Sequence, residues 1–327
     1  MLAEARPTNF KEDDKRGRDA RAPSELPPLG WKDIGWRVFE GTQRDRVLLV
    51  SAGVTFYALL ALFPAIAALV SLYGLFADAT AVNDQLAQLS GFLPDGALEV
   101  IADQVKRIVA QGGSSLSFTF VLTLLPSLWG ANAGTKSVFD ALNIIYKERE
   151  KRSFIVLTLH SLVFTLGGIA LLILAAGFVV VVPVLLNALG ISTASWAGML
   201  GLLRWPLLLC VILFGLACLY RYGPSRARPQ WKWVTWGSVF AAVIWLAGSL
   251  IYSWYVGNFG NYNATYGSLG AVIGFMIWMW LSAIVILVGA EINAEMEHQT
   301  AQDTTDGGNR PQGSRGATVA DQFGRSS

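Results

Sequence analysis

The chain has 327 residues, 53% of them hydrophobic and only 15% charged, with a mean hydropathy of +0.46 and a net charge of +2. A soluble domain carries about a quarter charged residues, so this composition excludes an ordinary water-soluble protein. The small net charge points to no particular partner.

Met1–Arg46 is charged and Pro-rich, without the short apolar core of a secretory signal. Residues 1–30 read as a disordered tail. The charges that follow are bunched, leaving uncharged runs of 31 residues (Val47–Ala77), 28 (Ile108–Thr135), 51 (Ser153–Leu203, with only His160 titratable) and 58 (Trp233–Ala290). A membrane-crossing helix needs about 20 apolar residues, so the two longest runs each hold more than one. A transmembrane barrel would instead show short alternating segments. The pattern predicts an all-α polytopic membrane protein with six transmembrane helices and amphipathic helices at the surfaces.

The first crossing is expected at Val47–Phe76. Pro64 removes a backbone hydrogen bond near its middle, so a kink is expected there. Leu98, Ile101, Val105 and Ile108 then share one face of a helix lying outside the membrane or capping the bundle. The second crossing, Leu116–Ser137, carries a Gly130/Gly134 pair of the kind that lets helices approach closely in lipid. Its polar end brings Asn132, Lys136, Asp140 and Asn143 into successive turns, and spacing makes Lys136–Asp140 and Glu148–Arg152 candidate i,i+4 pairs. Val138, Leu142 and Ile145 continue the apolar stripe.

The third and fourth crossings, Phe154–Val182 and Gly198–Tyr220, are divided by Pro183 and NALGISTAS. His160 lies early in the third and Arg204 inside the fourth. Cys210 and Cys218, eight residues apart, are separated by roughly 12 Å along one helix, too far for a disulfide. No Cys/His cluster has zinc-ligand spacing, and no metal or cofactor is expected.

The fifth and sixth crossings, Trp233–Gly257 and Ser268–Asn293, flank the uncharged, Gly-, Asn- and Tyr-rich stretch Tyr255–Gly270. A surface hairpin and a segment folded back into the bundle both explain it, with Asn258, Asn261, Asn263 and Tyr266 as its polar groups. The sixth crossing ends in GAEINAE, placing Glu291 within a turn of the apolar run. Residues 296–327 are polar, without apolar periodicity, and read as a second disordered tail.

Counting Lys and Arg fixes the orientation, because basic loops stay in the cytoplasm. One side of the predicted layout holds 22 and the other two, Lys106 and Arg107. Both termini are therefore expected in the cytoplasm. Arg44, Asp45, Asn132, Lys136, Asp140, Asn143, His160 and Glu291 then converge on the cytoplasmic end. Such a convergence is either an ion-pair network tying helix ends together or the entrance to a solute path.

TFYALLALFP (Thr55–Pro64), ALNIIYKERE (Ala141–Glu150) and YGSLGAVIGFMIWMWLSAIVILVGAEINAE (Tyr266–Glu295) together resemble the YihY/BrkB family of bacterial inner-membrane proteins. That family once carried the name ribonuclease BN. The likeness covers residues 31–295, read as one transmembrane domain, and Ala61 stands where the family typically has Ser. The resemblance implies a six-helix inner-membrane protein with cytoplasmic termini and brings neither catalytic residues nor an agreed substrate. Metal-assisted phosphodiester cleavage needs clustered His or carboxylate ligands, and the cytoplasmic basic residues follow from topology without RNA. The ribonuclease reading is rejected on those grounds, and no nucleic-acid partner is expected. The expected partners are the lipid bilayer and a small-molecule or lipid cargo. The remaining expectations are a transporter or translocator and, as the alternative, a non-transporting scaffold in an envelope assembly.

Overall fold

The computed structural model describes residues 15–73, 118–188, 193–259 and 270–325. Among these there is no β-strand beyond an isolated bridge between Pro229 and Thr305. The helices are α1 (Pro28–Arg44), α2 (Val47–Tyr73), α3 (Phe118–Ile145), α4 (Phe154–Ala188), α5 (Thr193–Tyr222), α6 (Trp231–Phe259), α7 (Gly270–Gln299) and the single turn α8 (Thr318–Asp321). Within the described residues, the six predicted crossings lie on helices. Two helices run further than expected, α4 past Pro183 and α7 through residues 296–299, while α3 extends beyond its crossing to Ile145 as the apolar stripe predicted.

Among the described residues, three helical stretches are long and apolar enough to cross a membrane, Phe154–Leu171, Trp231–Val256 and Val272–Gln299. A fourth is possible if α1 and α2, bent by 60° at their junction, act as one broken span. Side chains such as Leu49, Phe56, Phe154, Val163, Ile251 and Trp254 point outward from these helices. Large apolar groups on the outside are stable where lipid surrounds the bundle, because hydrocarbon exacts no penalty for them.

Helix α7 is central, packing against α1, α2, α3 and α6. Glycines set its approach to α6: a Cβ at Gly237 would overlap the Gly289 carbonyl, and one at Gly289 would meet the Ala241 Cβ at 2.8 Å. Asn293 then fills the contact, accepting from the Gly237 N–H at 2.9 Å. Helix α2 lies along α3. The Gly130/Gly134 pair serves packing there: a Cβ at Gly130 would meet the Pro64 ring at 2.7 Å, and one at Gly134 would meet the Ala61 Cβ at 3.0 Å. Helix α2 remains helical through Pro64.

The expectation of two disordered tails is corrected over residues 15–30 and 296–325. Arg18 donates to the carbonyls of His298, Gln299 and Gly324, and Thr300 donates to the Ala20 carbonyl at 2.6 Å. Arg315 reaches the carbonyls of Ala301, Gln302, Arg310 and Ala320. Asp303 closes a turn by accepting from the N–H groups of Thr305 and Arg310. Burial would raise the Asp303 pKa, but those two N–H groups and the Thr305 hydroxyl hold it below the usual value. Val319 inserts into the main apolar cluster. Composition misleads here because these segments are ordered by polar bonds to backbone carbonyls, which leave no apolar periodicity.

Candidate functional site

The site is the polar end of the bundle, where α7 loses its apolar character. From Ala290 to Thr300 every residue except Ile292 is buried, although the sequence reads Glu, Asn, Glu, Glu, His, Gln. Tertiary neighbours supply what water would. Glu297 accepts from Arg226 at both carboxylate oxygens, at 2.7 and 3.1 Å, and from Thr304 at 2.8 Å. Both members of this pair have side chains 0% exposed. The Arg226 guanidinium also lies 4.1 Å from the centre of the Tyr146 ring. Glu295 accepts from Arg37 Nε at 2.6 Å and faces His298 Nδ1 at 3.3 Å, while Arg37 continues to Gln299.

Glu291 is different. It is 1% exposed, and its Oε2 has no hydrogen-bond partner. The nearest cation is Arg44, whose Nη2 stands 3.9 Å from Oε1 and whose own side chain is 53% exposed. Arg44 is committed instead to Asp45, at 3.1 Å. The carboxyl fits only because residue 41 is glycine; a Cβ there would overlap Glu291. The α1–α2 elbow that presents Arg44 and Asp45 turns at Arg46, whose φ of 50° is left-handed.

A second polar group seals the far side. Asn143 accepts from the Ser225 N–H at 2.8 Å and donates to Glu150 at 3.1 Å. Arg152 forks onto both Glu150 oxygens at 2.8 Å and reaches the Gly223 carbonyl. Partial burial would raise the Glu150 pKa, but Arg152 and Asn143 outweigh it and bring it down to about 2. Lys151 and the Thr318 N–H both bind Glu148. The expected Glu148–Arg152 pair does not form, because α3 ends at Ile145 and Lys147 turns left-handed with φ 55°. Arg221 binds the Pro229 carbonyl and Asp306.

Of the predicted residues, Arg44, Asp45 and Glu291 come together at the elbow, and Asn143 belongs to the Glu150 group. His160 Nε2 is bound to the Tyr222 carbonyl at 2.9 Å, between Phe139 and Phe164. Asn132 is buried between α3 and α4, 3.4 Å from the Thr165 hydroxyl. Lys136 and Asp140 do not pair: Lys136 donates to Thr158 at 2.9 Å and Asp140 is exposed. Arg204 and Asn258 lie on α5 and α6, with side chains outside the described atoms. Asn261, Asn263 and Tyr266 lie outside the described residues, as does the expected helix over 98–108.

Sequence reading passed over Arg37, Glu150, Arg226 and Glu297. One signal was available, since polar residues at 291, 293, 295 and 297 occupy opposite faces of α7 and so demand partners on every side. Among the described residues, no three His, Cys, Asp or Glu side chains are grouped as metal ligands.

A family model described as virulence factor BrkB matches residues 38–313, which carries the likeness into the C-terminal segment that folds over α7. A ribonuclease-like protein of Bacillus subtilis, YfkH, is 31% identical over 252 residues, covering 75% of this chain and 88% of the relative. A UPF0761 membrane protein of Neisseria meningitidis serogroup B is 24% identical over 275 residues, covering 81% of this chain but only 63% of its own length. A UPF0761 membrane protein of Pseudoalteromonas translucida is 24% identical over 283 residues, covering 84% of this chain and 88% of the relative. No solved structure is significantly similar.

Proposed function

The chain belongs to the BrkB family of membrane proteins, and on that footing we propose that it moves a small or amphipathic molecule, a lipid among the candidates, across or within the membrane. One observation carries the reading: Glu291 buries a carboxylate oxygen without a hydrogen-bond partner beside the α1–α2 elbow. A buried polar group left unpaired costs about 1–3 kcal/mol. Ionisable groups within membrane helices are functional candidates by default.

In this reading the bundle crosses the bacterial inner membrane six times. Both termini are cytoplasmic, as the distribution of 22 against two basic residues supports. Arg44, Asp45 and Glu291 form the cytoplasmic end of the path, with Asn132 deeper. Arg204 and the polar groups Asn258, Asn261, Asn263 and Tyr266 serve the opposite end. Nothing in the family description names an enzymatic activity, and the ribonuclease-like name is attached to one of the relatives above. We assign no nuclease role.

The test is a lipid-translocation assay in liposomes containing the purified protein and a fluorescent phospholipid. The expected result is accelerated exchange between leaflets that falls to the protein-free rate in Glu291→Gln. No acceleration by wild-type protein, together with a similar null result for soluble amphiphiles, would reject transport. It would favour the second reading, a scaffold in an envelope assembly. The enclosed Arg226–Glu297 pair supports that alternative, because it fixes helix ends without leaving room for a moving solute.

A further inference from the structure

On the outer surface of α3 and α4, away from the elbow, Lys136 and Asp140 share one helix face without pairing. Lys136 uses one of its three donors on the Thr158 hydroxyl at 2.9 Å. Its ammonium lies 5.5 Å from the Trp129 ring and 4.9 Å from the Phe154 ring. Both rings face outward, 57% and 67% exposed. One helical turn nearer the polar end, Asp140 is exposed and has no hydrogen-bond or ion-pair partner among the described residues. The other charges beside it, Glu150 and Arg152, are bound to each other in their own fork. The remaining charges are therefore one cation and one anion, carried by residues whose backbone positions are about 6 Å apart along the helix axis. The Lys136 ammonium stands against Phe154, which opens a membrane-length apolar stretch, so in the proposed membrane placement the cation lies deeper than the anion.

We propose that this face binds a membrane phospholipid with a primary-amine headgroup, the phosphate at Lys136 and the ammonium at Asp140. The order of charges carries the assignment. A phospholipid anchored by its tails holds its phosphate deeper than its ammonium, which is the order the helix presents. The balanced charge disfavours an anionic lipid, since Asp140 would repel the second negative group. A primary ammonium donates hydrogen bonds to the carboxylate, whereas a choline headgroup has none to donate. The acyl chains continue along the outward apolar side chains Leu159, Val163 and Leu166 of α4, with Trp129 at the level of the glycerol backbone, as suits an interfacial aromatic. The site stands whether or not the bundle moves a cargo.

The test is native mass spectrometry of the full chain in mild detergent, titrated with dioleoyl phosphatidylethanolamine, phosphatidylcholine and phosphatidylglycerol. Wild-type protein should retain phosphatidylethanolamine best. Lys136→Gln should weaken that retention about tenfold, and Asp140→Asn should bring it to the level of phosphatidylcholine. The charge exchange Lys136→Asp/Asp140→Lys should not restore it, because the order of charges is then reversed. Equal retention by wild type and Lys136→Gln, or an unchanged preference in Asp140→Asn, overturns the proposal. Should a variant fail to fold, a photoactivatable phosphatidylethanolamine on wild-type protein decides. Cross-links to the segments containing Trp129 and Phe154 support the site, and cross-links elsewhere overturn it.

Discussion

Glu297 and Glu291 lie less than two turns apart on one helix and are equally buried, yet they are treated in opposite ways. Glu297 has both oxygens occupied by Arg226 and a third bond from Thr304. Glu291 has one oxygen without a partner and a distant, half-exposed arginine. The difference follows from what packs on each side. The α5–α6 connection and the C-terminal segment bring a cation and a hydroxyl to Glu297. The α1–α2 elbow brings to Glu291 only a glycine, close enough to exclude water, and an arginine that prefers Asp45. A carboxylate bound on every side holds helices together, and one left under-bound is free to take part in exchange.

Removing the cation tests the first half of that contrast. Arg226→Ala should destabilise the protein by about 3–5 kcal/mol, because it strands Glu297 without compensation. Thermal unfolding in detergent is the measurement, and Arg226→Met/Glu297→Met should recover much of the loss. A cost no larger than that of an ordinary surface substitution would mean the pair is not the clamp we describe.

Smaller effects are expected where the C-terminal segment is pinned. Arg315→Ala removes a cation that bridges four carbonyls and should cost about 2–3 kcal/mol. The loss should appear as faster proteolysis of residues 300–325 with the transmembrane bundle intact. At the elbow, Gly41→Ala should cost about 1–3 kcal/mol by overpacking against Glu291. Combining it with Glu291→Ala should return most of that energy, since the two changes share one space. Glu291→Gln alone should alter stability by less than about 1 kcal/mol, having no close ion pair to lose. A large loss there would make Glu291 another clamp and erase the comparison.

The smallest effect is a pH dependence. The folded pKa of Glu150 is depressed to about 2 from 4.5, so its contribution is complete above the unfolded value and is lost as pH falls from about 4.5 towards 2. Solvent screening limits it to about 1 kcal/mol. The gap between the unfolding midpoints of wild type and Glu150→Gln should be smaller at pH 3 than at pH 6. Parallel profiles would show that the Arg152 fork contributes nothing measurable.

The helices were legible because lipid imposes a simple rule: backbone groups must bond within the segment and side chains must be apolar over about 20 residues. The uncharged runs therefore mark α2 through α7 to within a few residues, except where α3 runs on through Lys136 and Asp140 to Ile145, α4 passes Pro183 and α7 extends beyond its apolar part. The gathering of Arg44, Asp45 and Glu291 was legible because each lies at the end of an apolar run, and such ends meet at one surface. Lys136 and Asp140 looked like a local pair because spacing alone places them together. Only the neighbouring helix, with Thr158 and Phe154, shows that Lys136 turns away.

The sequence by itself thus determined that the protein is helical, where its apolar segments lie, and to which family it belongs, since hydrophobic run length and local motifs need no knowledge of neighbours. Tertiary structure alone decided which carboxylates are bound. It also decided that residues 300–325 fold back over α7. Those outcomes depend on bonds between groups up to 306 residues apart, such as Arg18 to the Gly324 carbonyl. Contacts of that range leave no periodicity in the chain, because each is fixed by which helix ends the packed bundle brings within bonding distance.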